Sequence, residues 1–177
     1  MKGKNMETGQ KDISRAENRM YLKNEMQITF DAVSVNEAFA RVAVAAFVTP
    51  LNPTMEEVSD IKTAVSEAVT NAIIHGYDAE FMKEGNGQSP DKVYLNCMIE
   101  DDVLYVEVKD KGKGIADVEQ AMEPLYTSKP EMDRSGMGFA FMEAFMDDLE
   151  VISQPGLGTE IRMKKKLGTT PWIGYEE

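Results

Sequence analysis

The stretch Lys62-Thr-Ala-Val-Ser-Glu-Ala-Val-Thr-Asn-Ala-Ile-Ile-His-Gly-Tyr77 carries two patterns at once. Its apolar residues, extended upstream by Val58 and Ile61, fall at Val65, Ala68, Val69, Ala72 and Ile73, the spacing of one helix face. Its polar residues Glu67, Asn71 and His75 recur at every fourth position. At about 100° per residue each drifts only about 40° around the axis, so the three share a second face. Upstream, Thr54-Met-Glu-Glu57 is a capping box, and Gly76 is a stop signal. Together they predict a helix from about residue 55 to His75. Its polar face admits two readings. One is a solvated surface; the other is a carboxylate base beside an amide oxygen suited to Mg²⁺.

Working outward, Met26, Ile28 and Phe30 alternate with polar residues, as on a half-buried strand. Ser34-Val-Asn-Glu37 is a second capping box, opening a helix with Phe39, Val42, Ala43, Ala46 and Phe47 on one stripe. Val93 to Ile99 and Val103 to Lys109 face each other as strands across an Asp101-Asp102 turn. A long irregular stretch follows from Ile115 to Ser135, then a helix near Gly138. A last hairpin pairs residues 149–154 with 159–165 around Pro155-Gly156-Leu157-Gly158. This order predicts an α+β protein: a two-layer sandwich with helices on one face of a mostly antiparallel sheet.

The 177 residues suit one domain, and 42% hydrophobic content is enough for a sizeable core. We expect the domain to span 23–167, after a polar N-terminal extension (1–22) and before a short tail (168–177). A loop is expected over 80–91. A net charge of −12 disfavours direct contact with nucleic acid. The single cysteine, Cys97, suits a reducing compartment. No apolar run approaches the ~20 residues of a membrane span, and the polar N-terminus lacks a signal segment, so a cytoplasmic protein is expected.

Three further motifs bear on chemistry. In the strand ending Leu104, Val106, Val108, Asp110, alternation turns the Asp110 carboxylate inward with three apolar side chains. A buried charge needs partners. Asp110 is either the cap of a tight turn or an acceptor for a ligand amino group. Gly112 and Gly114 follow it, letting the backbone approach a ligand closely. Gly136-Met137-Gly138 precedes a helix, where free N–H groups and the positive dipole end suit a phosphate, although ordinary loops share that pattern. Thr159 is in phase with Ile161 and Met163, so its hydroxyl also faces the core side.

Glu-x-x-x-Asn on a helix, Asp-x-Gly-x-Gly after a strand, Gly-x-Gly before a helix and Gly-Thr opening a strand, in that order, resemble the GHKL family of Bergerat-fold ATP-binding domains. The likeness spans about Glu67 to Ile161. Within that family, Asn36-Glu-Ala-Phe-Ala-Arg-Val42, the 62–77 stretch, Pro124-Leu-Tyr-Thr-Ser-Lys-Pro-Glu131, Ser135-Gly-Met-Gly-Phe139 and Phe145-Met-Asp-Asp148 look like the anti-sigma-factor serine kinases of spore-forming bacteria. The resemblance implies a dimeric protein that sequesters a sporulation sigma factor. It also implies that ATP is used to phosphorylate a serine of an anti-anti-sigma protein. Glu67 would then be the catalytic base and Asn71 the Mg²⁺ ligand. Asp110 would accept from the adenine amino group, with Thr159 assisting, and Gly112, Gly114, Gly136 and Gly138 would shape the nucleotide walls. Residues 115–135 would form a lid, with Lys129 or Arg134 meeting phosphate, and Arg41 would contact the protein partners. His75 is read as structural. The alternatives are an ATP-gated binding module without kinase activity and a histidine-kinase-like catalytic domain. No Walker A run, His-Arg-Asp or Asp-Phe-Gly is present.

Overall fold

The computed structural model describes residues 23–77, 91–123, 125 and 136–168. The strands are β1 (Lys23–Asp31), β2 (Lys92–Glu100), β3 (Val103–Lys109), β4 (Asp148–Gln154) and β5 (Gly158–Lys166). They form one sheet in the order β1-β2-β3-β5-β4, with every neighbouring pair antiparallel. Strand alternation decides which side of that sheet is covered. Val93, Leu95, Cys97 and Ile99 of β2 are buried, as are Leu104, Val106 and Val108 of β3. Ile161 and Met163 of β5 are buried too, facing Val108 and Val106 in register. One continuous apolar surface results.

That surface is covered by α1 (Val35–Phe47), α2 (Met55–Thr70) and α4 (Gly138–Phe145); a short α3 (Val118–Met122) precedes α4. The architecture is the two-layer α+β sandwich expected from the element order. Helix α2 is its centre, packing against α1, α4 and β3. Ile61, Val65, Ala68, Val69, Ala72 and Ile73 are buried as the helical period requires. The capping box at its start is formed. Thr54 N–H donates to the Glu57 carboxylate at 2.6 Å, and Glu57 N–H donates to Thr54 Oγ1 at 3.1 Å. Lys165 fixes α4 against α2 by donating to the terminal carbonyl of Phe145 at 2.5 Å and to Asp60 at 3.3 Å.

Four local expectations need correction. Ser34 does not cap α1: its backbone is already helical (φ −57, ψ −28), whereas a capping side chain needs extended geometry. Glu37 is engaged elsewhere, accepting from Ser66 of α2 and pairing with Arg41 at 3.2 Å. The stripe on α1 is also rotated. Ala40 and Val44 are buried, whereas Phe39 and Val42 are more than half exposed. Ten of the thirteen residues of α1 are apolar, so periodicity alone gave no unique phase.

The third correction concerns the end of α2. The α-helix stops at Thr70, and Asn71–Gly76 form a π-helical turn. Such turns concentrate at functional sites because i→i+5 bonding reorients the side chains that follow. The fourth is α3 inside the stretch expected to be irregular, capped by Asp117, whose Oδ1 accepts from Gln120 N–H at 2.9 Å. Residues 1–22, most of the 80–91 loop, 126–135 and 169–177 lie outside the described residues, as do Lys129 and Arg134.

Candidate nucleotide-binding site

A cavity of about 240 Å³ opens where the π turn after α2, the end of β3, the start of β5 and the N-terminus of α4 converge. Asn71, Asp110, Gly114, Gly136, Gly138 and Thr159 all line it. Asp110 is 3% exposed. Its backbone N–H continues the β3–β5 ladder by donating to Thr159 O at 2.9 Å. Its Oδ1 accepts from Gly112 N–H at 2.8 Å and Thr159 N–H at 3.2 Å. Its Oδ2 takes no hydrogen bond among the described residues. Burial raises the carboxyl pKa above its ordinary value, against the lowering effect of those two N–H donors. The result is an acceptor oxygen held at the cavity wall.

The glycines nearby work differently from expectation. A Cβ on Gly112 would lie 2.0 Å from the carbonyl oxygen of Gly76, and one on Gly114 (φ +70) 2.0 Å from that of Gln154. The closest approach is therefore to the protein's own backbone. Gly112 does not line the cavity; it locks the post-β3 loop to the π turn, helped by Lys113 N–H donating to Gly76 O at 2.9 Å. Gly112→Ala should cost about 3 kcal/mol or more, since backbone cannot yield as a rotamer can. A denaturant midpoint unchanged from wild type would contradict this packing. Tyr77 adds a second tie, its hydroxyl donating to Lys92 O at 2.6 Å and accepting from Lys111 N–H at 2.7 Å.

At the other wall, α4 begins against the polar face of α2. From the Cβ position of Gly138, Glu67 Oε2 is 3.1 Å away and Asn71 Oδ1 is 3.5 Å away. Glu67 does not itself line the cavity but meets it through Gly138. The first turn of α4 thus sits beside a carboxylate and an amide. Leu125 N–H donates to Gly136 O at 3.0 Å, next to the start of α4. Arg41 lies on α1, half-exposed and paired with Glu37, and does not line the cavity.

His75, read from the sequence as structural, and Lys113, which the sequence did not single out, also line the cavity. His75 was assigned to the helix end because Gly76 follows it, and the π turn could not be anticipated. Ser153 was missed as well. It is in phase with Leu149 and Val151, so a polar residue at an inward strand position was the available signal.

The chain matches the histidine kinase-like ATPase domain over residues 28–165. It is 55% identical to the anti-sigma F factor of Oceanobacillus iheyensis, covering 86% of this chain and 99% of that relative. It is 54% identical to the anti-sigma F factor of Bacillus subtilis, covering 82% and 94% respectively. The fold is similar to a solved structure of the RsbU and RsbW domains of Rv1364c from Mycobacterium tuberculosis, with a TM-score of 0.55 and 18% identity. That likeness covers 81% of this chain and about a third (32%) of the longer one. The chain therefore belongs to the anti-sigma F factor family, within the histidine kinase-like ATPase domains.

Proposed function

We propose that this protein sequesters a sporulation sigma factor and phosphorylates a serine of the opposing anti-anti-sigma protein with ATP. The single observation that carries the site assignment is convergence. Asn71, Asp110, Gly136, Gly138 and Thr159, from four separate segments, border one cavity, and Glu67 lies against Gly138. The inward carboxylate of Asp110 suits the exocyclic amino group of adenine, because an ionised carboxylate only accepts. The α4 N-terminus suits the triphosphate. Residues 115–135 cover the nucleotide as a lid; Ile115, Asp117 and Gln120 of that segment already line the cavity. Lys129 or Arg134 meets phosphate.

Mg²⁺ is usually held by one or two protein oxygens together with substrate phosphates and water. Asn71, whose amide borders both the cavity and the α4 start, fits that donor role. The ion supplies charge neutralisation for the leaving diphosphate. Glu67 orients the serine hydroxyl and takes its proton. The serine oxygen forms a bond to the γ-phosphorus while the bond to the bridging oxygen breaks. Its electron pair leaves on ADP. Positioning and charge stabilisation do most of this work.

For the protein partners, the supporting observation is α1. Val35, Phe39 and Val42 are 69%, 54% and 57% exposed, beside Arg41. An apolar strip with a guanidinium suits a protein contact rather than a solvated face. The protein works as a homodimer in the cytoplasm; no helix of the described residues is long and apolar enough to cross a membrane.

Incubation with radiolabelled ATP, Mg²⁺ and an anti-anti-sigma protein tests the reading. Label on a serine of the substrate is the expected result. Nucleotide-dependent capture of the sigma factor with no transferred label would instead identify an ATP-gated binding module.

A further inference from the structure

The hydroxyl of Ser153 stands at a junction of three segments. It accepts from Ile115 N–H at 2.8 Å, approaches Gly158 O at 2.9 Å, and lies 2.9 Å from Thr159 Oγ1. Ser153 and Thr159 are opposed in the β4–β5 register, so the contact is built into the hairpin. A serine hydroxyl has one proton and two lone pairs. The Gly158 carbonyl can only accept, so the Ser153 proton goes there. The Ile115 N–H occupies one lone pair. Only a lone pair remains for Thr159, which must therefore give its own proton to Ser153.

That leaves Thr159, 8% exposed and lining the cavity, with nothing but lone pairs to turn toward a ligand. Asp110, the other buried polar side chain at this wall, is also an acceptor. We infer that Ser153 is a positioning residue that fixes Thr159 as a hydrogen-bond acceptor, so that the cavity selects a base carrying an amino group over one carrying a carbonyl. Two acceptors match the two protons of an exocyclic amine, directly or through one water. A carbonyl oxygen there faces two acceptors and leaves all three groups unpaired. This rests on the assignment of Asp110 to the base end of the nucleotide.

The test compares ATP with inosine triphosphate, whose base carries a 6-oxo group in place of the amine. Binding of each is titrated against wild type, Ser153→Ala, Ser153→Thr, Thr159→Val and the Ser153→Ala/Thr159→Val double variant. In Ser153→Ala the Thr159 proton is released to serve a carbonyl, and the ATP preference should narrow about tenfold. Ser153→Thr, which keeps the hydroxyl, should retain it. In the Thr159→Val background, Ser153→Ala should leave the ratio unchanged. Loosening of the hairpin or of the Ile115 tie would weaken both nucleotides equally and leave the ratio intact. Should Ser153→Ala not fold, Ser153→Cys keeps the shape with a poorly accepting sulfur and carries the same expectation. An unaltered ratio in Ser153→Ala or Ser153→Cys, or equal narrowing with and without the Thr159 hydroxyl, overturns the inference alone. A wild type with no preference for ATP overturns it together with the role of Asp110.

Discussion

Glu67→Ala should lower the rate of serine phosphorylation by about 10²–10⁴-fold, the usual contribution of a general base, while nucleotide affinity stays close to wild type. The separation follows from where the residue sits. Glu67 is on the last turns of α2, behind Gly138 and outside the cavity lining, whereas Asn71, one turn on, borders the cavity directly. In the proposed roles, removing the carboxylate takes away the proton acceptor without touching the cavity wall. Single-turnover transfer and nucleotide titration on the same preparation check both halves. A variant that still transfers phosphate at the wild-type rate would remove Glu67 from the chemistry. One that fails to bind nucleotide would assign it to the wall instead.

Asp110→Asn should weaken ATP binding about 10- to 100-fold and at the same time raise the melting temperature of the nucleotide-free protein at neutral pH. The first effect comes from exchanging an acceptor for an amide whose NH₂ group opposes the adenine amine. The second follows from burial. The native carboxyl has a raised pKa, so the native state holds its proton more tightly than the unfolded chain does. Stability then falls as pH rises from the unfolded value of 3.8 through the raised native value, and the ionised group remains a cost above it. A neutral asparagine keeps an acceptor for Gly112 and Thr159 without that cost. The gain should be on the order of 1 kcal/mol, about 2–4 °C, and should shrink on acidification below the native pKa. A melting temperature at pH 7 lower than wild type would show that the second carboxylate oxygen stabilises the fold.

Much of this architecture was legible because its signals are local. The capping box at Thr54 and the buried stripe of α2 depend on residues within a few turns. The inward direction of Asp110 and Thr159 needed only strand alternation, since both share a phase with buried neighbours on β3 and β5. The same rule applied to β4 would have singled out Ser153. What escaped was tertiary. The phase of α1 was ambiguous because apolar residues occur all round it, and only packing against α2 chooses Ala40 and Val44. The π turn involves one added residue within a continuous helical pattern, which periodicity over six residues does not register. Gly112 and Gly114 carried no label saying what approaches them, and Gly76 and Gln154 are distant in the chain.

The interlock of those loops has a consequence for how the protein can change. The contacts that set its spacing are carbonyl oxygens of Gly76, Asp110 and Gln154 pressed against Gly112, Gly158 and Gly114. Main-chain atoms are common to every amino acid, so substitution at Gln154 leaves the spacing untouched, whereas a Cβ on Gly76 would lie 2.9 Å from Asp110 Cγ and Oδ1 and one on Gly112, Gly114 or Gly158 would meet backbone. This end of the cavity is thus buffered against gradual adjustment. Evolutionary tuning is left to Ser153, Thr159 and the exposed side of α1, where a side chain can alter without moving the frame.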